Sequence, residues 1–235
     1  MPDHALSAAS AASITDQTLS RQDVEALLAG RMAALTFERC AFDDADLSRL
    51  DLRNGVFLRC TAAGASFARA QLGDTRWQSC RMGGADFGLA DLTDSRFNAC
   101  DLNNTNWNRA QLAAVAFDGV KLTGATFSDA RTLGLSLRDS LLVGADLRGV
   151  GFRKQRLVGV DFSSADLAGC DFREAVFEGG SLAEANLRQA QFGGADLRQA
   201  TLGALTVEQV ASFKRATISH EQAAMLAVSM GMLVA

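Results

Sequence analysis

Four of the five cysteines fall at a fixed interval: Cys40, Cys60, Cys80 and Cys100 stand twenty residues apart, and Cys170 lies further along. A regular series of thiols could form a redox column, hold a soft metal or supply a nucleophile, given a base beside it. The chain offers none of that company. Its two histidines are His4 and His220, near the two ends, so no Ser/His/Asp or Cys/His arrangement can be assembled from the middle. The cysteines match no metal-site spacing. There is no GxxxxGK loop, and Gly83-Gly84 reads as a corner before Ala85. No catalytic, cofactor-binding or metal-binding residue is expected, and the chain is read as a non-enzyme.

The totals narrow the field further. Of 235 residues, 48% are hydrophobic and 21% charged, the balance of an ordinary folded protein. There are 21 glycines and one proline, Pro2, so few positions force a break in a regular structure. A formal net charge of −4 argues against non-specific binding to nucleic acid. The N-terminus has no basic stretch followed by an apolar run, and the uncharged stretch 222–235 is too short to span a membrane. An odd number of cysteines in no framework reads as reduced thiols, so a cytoplasmic location is expected.

What positions these residues is a period of five. Stepping by five from Phe37 to Leu202 visits 34 positions, and 32 of them are Leu, Phe, Met or Trp; only Ala62 and Thr132 depart. Two residues earlier, Ala, Cys, Ser, Thr, Gly or Val fill 30 of 34 positions, with Leu35, Leu50, Leu135 and Gln155 as exceptions. The residue between is often Asp or Asn, as in Ala85-Asp86-Phe87 and Ala185-Asn186-Leu187. Five fits neither a helix nor an alternating strand. It fits a coil that turns a corner every fifth residue, with the large and small residues pointing inward. Four sides make twenty residues, and the cysteine interval agrees. Phe37, Phe57, Trp77, Phe97 and Phe117 keep the same interval, as do Phe152, Phe172 and Phe192. Coils stacked at about 4.8 Å would give a rod of roughly 40 Å. The cysteines then fill slots that Ala or Ser fills elsewhere, and core packing is the expected role. The aromatic series is read as core in the same way.

The A(D/N)LXX pattern resembles the pentapeptide-repeat family, over residues 35 to 205. The resemblance implies an all-β solenoid, a right-handed quadrilateral β-helix, here with a short N-terminal helix and a C-terminal helical cap. Residues 1–19, rich in Ala and Ser, are expected to be disordered. Residues 20–34 should hold a capping helix opened by Ser20, with Val24, Leu27 and Leu28 as its apolar face. After Leu202 the register slips; 206–213 is expected to form a short turn or helix, and Ala216-Thr217-Ile218 one last unit shifted by one. Ser219 and Gln222 have capping-box spacing and should start a final helix. Residues 206–235 read as a cap for the last coil or a dimerisation segment, both readings open, with Ala223, Leu226, Ala227, Met230, Met232 and Leu233 as the candidate interface. Around Thr132 a kink or local repacking is expected.

Asp46, Asp86, Asp146 and Asp166 share one twenty-residue column and form a candidate acidic partner-binding face. The competing reading is that such aspartates satisfy backbone groups at corners. Arg148, Arg153, Lys154 and Arg156 make a basic patch. Among family members, the quinolone-resistance type protects DNA gyrase and topoisomerase IV as a rod-shaped DNA mimic that dimerises through C-terminal helices. Phe57-Leu-Arg-Cys60 and the closing segment from Ile218 resemble that type, the latter its mycobacterial form. The resemblance therefore implies a protein partner, a type II topoisomerase, with no cofactor and no membrane. The alternative is a scaffold, adaptor or secreted effector that binds another protein through the flat faces. A mild net charge and the absence of any inserted loop stand against the topoisomerase reading.

Overall fold

Each unit explains its own shape. In Phe42-Asp43-Asp44-Ala45 the Ala45 amide donates to the Phe42 carbonyl at 3.0 Å, closing a β-turn. Asp44 has φ 57 there, the left-handed third position that marks a type II turn. The turn swings the chain round a corner and sends the next large side chain into the same interior. Asx contacts lock the corner: the Asp46 carboxylate accepts the Ser48 amide at 3.0 Å, and Asp86 accepts that of Gly88 at 2.8 Å. Asp91, Asp101, Asp161, Asp171 and Asp196 do the same, as do Asn106 and Asn186. This is why the unit prefers Asp or Asn before its large residue.

Coils stack because the pattern repeats every twenty residues. The computed structural model, which describes residues 13–30 and 34–234, is a parallel, four-sided β-solenoid. One side forms a nine-stranded parallel sheet in chain order. Its strands are β1 (Ser13–Thr15), β2 (Thr36–Glu38), β3 (Val56–Leu58), β4 (Arg76–Gln78), β5 (Arg96–Asn98), β6 (Ala116–Asp118), β7 (Ser136–Arg138), β8 (Arg156–Val158) and β9 (Val176–Glu178). This is face 1, with Phe37 opposite Phe57 and Phe57 opposite Trp77. Faces 2, 3 and 4 follow in order round the coil. Their inward columns begin at Phe42, Leu47 and Leu52, and single bridges at the same twenty-residue interval join them.

The core is a set of ladders. On face 1, Phe57 stacks on Trp77 at 3.8 Å and Trp77 on Phe97 at 5.7 Å. Face 3 carries a second ladder, Phe67–Phe87–Trp107–Phe127, which meets the first edge to face, as Phe87 meets Phe97 at 84°. The buried indoles need acceptors, and a threonine two residues earlier supplies one. Trp77 Nε1 donates to Thr75 Oγ1 at 2.9 Å and Trp107 Nε1 to Thr105 Oγ1 at 2.7 Å. At one small slot only glycine fits: Gly180 has φ +78, and a Cβ there would lie 2.1 Å from the Val160 carbonyl oxygen.

The ends differ from expectation in detail. Residues 13–19, expected to be disordered, instead add a part-coil: β1 pairs with β2, Thr18 bridges Ala41, and Ile14 and Leu19 are buried. Two apolar side chains at the right interval outweigh the Ala/Ser composition. Residues 1–12 and 31–33 lie outside the described residues. Helix α1 (Arg21–Ala29) starts at Ser20 through a capping box with Asp23, buries Val24, and covers the first coil. Arg21 Nη1 donates to the Asp46 and Ser48 carbonyls at 3.0 and 3.1 Å, so it also caps the first turn of face 3.

At the other end, helix α2 (Val207–Val210) and a 3-10 turn at Ala211–Phe213 interrupt the register. Phe213 then stacks under Phe192 at 4.6 Å, and Thr217 bridges Asp196, each one residue beyond the usual twenty. Helix α3 (His220–Ser229) follows, capped by Ser219 and Gln222. Gln222 is buried and donates to the Leu197 and Ala200 carbonyls at 2.8 and 2.7 Å, closing the last coil.

One junction in the interior of the stack is open. Above it, Leu112 N donates to Arg131 O at 2.8 Å; below it, Phe152 N donates to Asp171 O at 2.8 Å. Between them no bond joins Thr132 N to Gly151 O, Gly134 N to Arg153 O, or Gly151 N to Ala130 O, all of which the ladder calls for. Strands β7 and β8 keep a single paired position, Arg138 with Val158, where their neighbours keep three. Thr132 is half-buried in a slot where Leu112 and Phe152 are fully buried. The local repacking expected at Thr132 takes this form.

Candidate interaction surfaces

The four aspartates proposed as an acidic face do share a column on face 3, bridged in the order Asp46, Ser66, Asp86, Asn106, Thr126, Asp146, Asp166, Asn186. Half of that column is uncharged. Each carboxylate also has local work. Asp86 and Asp166 each accept a side-chain amide from the coil below, Asn106 at 2.7 Å and Asn186 at 2.8 Å. Asp146 binds the Arg148 guanidinium at 2.7 and 2.8 Å, which holds its carboxyl below the usual range. Hydrogen bonds from Ser48 lower Asp46 similarly. The Asp46 side chain is 64% exposed but that of Asp146 only 23%, so the negative charge offered to a partner varies along the column.

Every face carries both signs. Face 3 sets Arg49, Arg69, Arg109, Arg148 and Arg188 beside its aspartates. Face 1 pairs Arg156 with Glu178 and Arg59 with Glu38 across coils. The expected basic patch is largely neutralised: Arg153 and Lys154 both reach Glu174, and Arg173 pairs with Asp171. On face 3 the small side chains of Ala68 and Gly88 leave a shallow depression of about 470 Å³, with Asp86 and Asn106 in its floor and Arg109 and Asp129 at its rim. Sequence reasoning missed it; the signal was Gly88 in an outward slot otherwise filled by longer side chains.

The cysteines behave as core. All five are free and buried. Their thiols point at backbone carbonyls, as Cys60 Sγ does at Phe37 O, 3.4 Å away. Burial pushes Cys170 up to about 12, far from thiolate reactivity. Among the described residues no cluster of His, Cys, Asp or Glu could hold a metal ion, and no helix is long and apolar enough to cross a membrane.

The C-terminal surface is apolar; it shares Met230, Met232 and Leu233 with the expected set and differs from it on α3 itself. Leu226 packs partly against the core, Ala227 is half-buried and Ala223 is exposed but small. Exposed apolar area instead comes from Met225 (50%), Val228 (59%), Met232 (53%) and Leu233 (101%), with Met230 contributing less. The expected face omitted Met225 and Val228 because Gln222, a polar residue, turned out to anchor the buried side.

A model for the pentapeptide repeat region matches residues 31–107, and a second, for eight copies of the repeat, matches 90–129, 155–190 and 165–203. The chain belongs to the pentapeptide-repeat family. Among solved members of that fold, full-length QnrB1, a plasmid-mediated fluoroquinolone resistance protein, superimposes with a TM-score of 0.68 at 20% identity. The match covers 94% of this chain and all of QnrB1. Two trypsin-treated variants of QnrB1 give TM-scores of 0.64 and 0.61 at 20% and 22% identity, over 96% of this repeat chain and 98% of theirs. At such identity the likeness is one of fold. No curated protein matches the sequence.

Proposed function

We propose that this pentapeptide-repeat rod is a non-catalytic protein-binding protein whose partner is a type II topoisomerase, DNA gyrase or topoisomerase IV, and that it changes that enzyme's response to fluoroquinolones. The observation that carries this reading is the correspondence in fold with QnrB1, over 94% of this chain and all of QnrB1. The reading puts the rod in the cytoplasm with its partner. Imitation of DNA along the whole rod would call for dense, uniform negative charge. Faces of mixed sign instead favour recognition by matched charges at particular positions, such as Asp46 and Asp86 on face 3.

The same mixed charge supports a second reading, a scaffold or adaptor that holds some other protein against a flat face. Homodimerisation through α3 fits either reading, because Met225 and Val228 on the helix, with Met232 and Leu233 in the segment that follows it, form an apolar surface, while the other side of the helix already caps the rod. Met225→Asp with Val228→Asp should convert a dimer to a monomer in sedimentation velocity. A wild-type monomer at high micromolar concentration would leave α3 as a cap alone.

The test of function is a gyrase supercoiling assay with the purified rod, with and without a fluoroquinolone. Protection or inhibition at low micromolar rod supports the topoisomerase reading. No effect on gyrase or topoisomerase IV moves the assignment to a scaffold.

A further inference from the structure

The open junction beside Thr132 is a wedge, and its geometry is that of a hinge. On face 4 three expected ladder bonds are missing, and the gap runs into both neighbours. Asp129 N does not reach Arg148 O at the end of face 3, nor Arg156 N Leu135 O at the start of face 1. The bridges Gln111–Arg131 and Gly151–Asp171 flank a missing Arg131–Gly151. On the opposite side, face 2, the same two coils are fully joined. Leu142 N donates to Asp161 O at 2.7 Å, Gly144 N to Ser163 O at 3.0 Å, and Leu141 bridges Asp161. The beginning of face 3 also holds, with Phe127 N on Asp146 O at 2.9 Å.

We propose that the rod bends at this junction, with the intact backbone ladder of face 2 as the hinge line and face 4 opening and closing. Three features of the sequence converge there. The inward column of face 4 runs Leu52, Leu72, Leu92, Leu112, then Thr132, then Phe152, Phe172, Phe192. A short polar side chain thus stands between a leucine stack and a phenylalanine stack and fills neither. Gln155 and Leu135 occupy slots that usually hold small residues, which keeps the coils from closing on face 1. The charged residues in the face 4 outward slots flanking the gap, Arg131 above it and Arg153 and Lys154 below it, are all cations, and Glu174, the acid that pairs with Arg153 and Lys154, belongs to the coil beneath. Leu133, 84% exposed, stands on the outer lip.

Because coils touch only their neighbours, one loose junction divides the solenoid into two stiff segments and leaves each intact. Bending there would change the angle between the upper and lower halves of every face, and so let a rigid rod follow a curved partner. A partner that grips both halves would select one angle. This inference needs no particular partner, so failure of the topoisomerase reading leaves it standing.

Amide-resolved hydrogen exchange on the wild-type chain tests the hinge directly. The amides of Asp129, Thr132, Gly134, Gly151 and Arg156 should exchange roughly a hundredfold faster than those of Leu112, Ala114, Phe152 and Lys154. Equal protection would overturn the proposal. A second measurement reads the motion itself. Nitroxide pairs at Leu133→Cys with Arg153→Cys span the gap on face 4, and at Val143→Cys with Ser163→Cys span the same coils on face 2. The native cysteines are buried and should stay unlabelled. A broad distance distribution on face 4 beside a narrow one on face 2 is expected. Equal widths would mean that the wedge is a fixed bend and sink the hinge. Thr132→Leu should narrow the face 4 distribution and slow exchange at Thr132 and Gly151; an unchanged pattern would remove the column mismatch as its cause.

Discussion

The coils between Phe37 and Phe127 and the junction below Thr132 are made of the same five-residue unit, yet one is a continuous stack and the other has come apart on one side. In the upper coils two aromatic ladders run without interruption on faces 1 and 3 and brace each other edge to face. At the junction the face 1 column passes to Leu137, the face 3 column to Leu147, and face 4 holds Thr132. The backbone pattern is unchanged, so the unit alone does not close a coil onto the next. Matched inward side chains do, by setting the spacing at which the ladder bonds can form. A mismatch costs only its own junction, because nothing else touches it.

The largest effect should come from breaking a ladder. Trp107→Ala removes a ring stacked between Phe87 and Phe127 and leaves the buried Thr105 hydroxyl without its donor. A loss of about 3–5 kcal/mol is expected for such a core truncation. Thr132→Ala, in the slot that is already half-open, should cost under about 1 kcal/mol. Urea titrations of both variants check the contrast. Comparable losses would mean that the junction is as well packed as the ladder.

Next comes Gly180→Ala, at a junction that is tight where the Thr132 junction is loose. A Cβ there meets the Val160 carbonyl at 2.1 Å with φ at +78, and strain and crowding together should cost about 3 kcal/mol. Gly144→Ala is the control: its φ is +65 with nothing within 4 Å of a Cβ, so about 1 kcal/mol of backbone strain is all that is expected. Thermal melts of the pair should separate clearly, and equal shifts would mean that the coils can part at Val160 as well.

Thr132→Leu tests the comparison from the other side. Extending the aliphatic column should close part of the wedge and raise stability by about 1 kcal/mol. A loss instead would show that the site was packed around the threonine and that the opening has another origin.

These contrasts also mark how far the sequence could be read. The period, the four sides and the twenty-residue coil follow from inward slots that admit few residue types, so Phe37 to Leu202 specify the rod directly. Thr132 was legible as a defect for the same reason: it breaks the rule of its slot. The missed elements obey weaker rules. The part-coil at Ser13–Leu19 rests on Ile14 and Leu19 alone, too short a run to reveal a period. The buried side of α3 turns on Gln222, whose reach to two carbonyls depends on where the last coil ends. The acidic column was correctly placed in space, but its hydrogen bonds to Ser48, Gly88, Asn106 and Arg148 lie in directions that spacing does not give.

The smallest effect separates the two halves by pH. Arg148, Arg173 and Arg198 each grip the aspartate two residues before them, and their hydrogen bonds lower Asp146, Asp171 and Asp196 below the ordinary carboxylate value. The lowered aspartates of the upper coils, Asp16, Asp46 and Asp51, are about twice as exposed, 60%, 64% and 48% against 23%, 24% and 28% for Asp146, Asp171 and Asp196. A lowered folded value means that the stabilisation is complete above the unfolded value near 3.9 and disappears as pH falls through the folded ones. Each half-exposed pair should contribute under about 1 kcal/mol. Acidification from pH 5 to pH 2.5 should therefore weaken the coils below Thr132 slightly more than those above it, read as the loss of amide protection in each half. Asp146→Asn with Asp171→Asn should erase the difference. If the upper coils loosen first, the charged corners are not what distinguishes the halves.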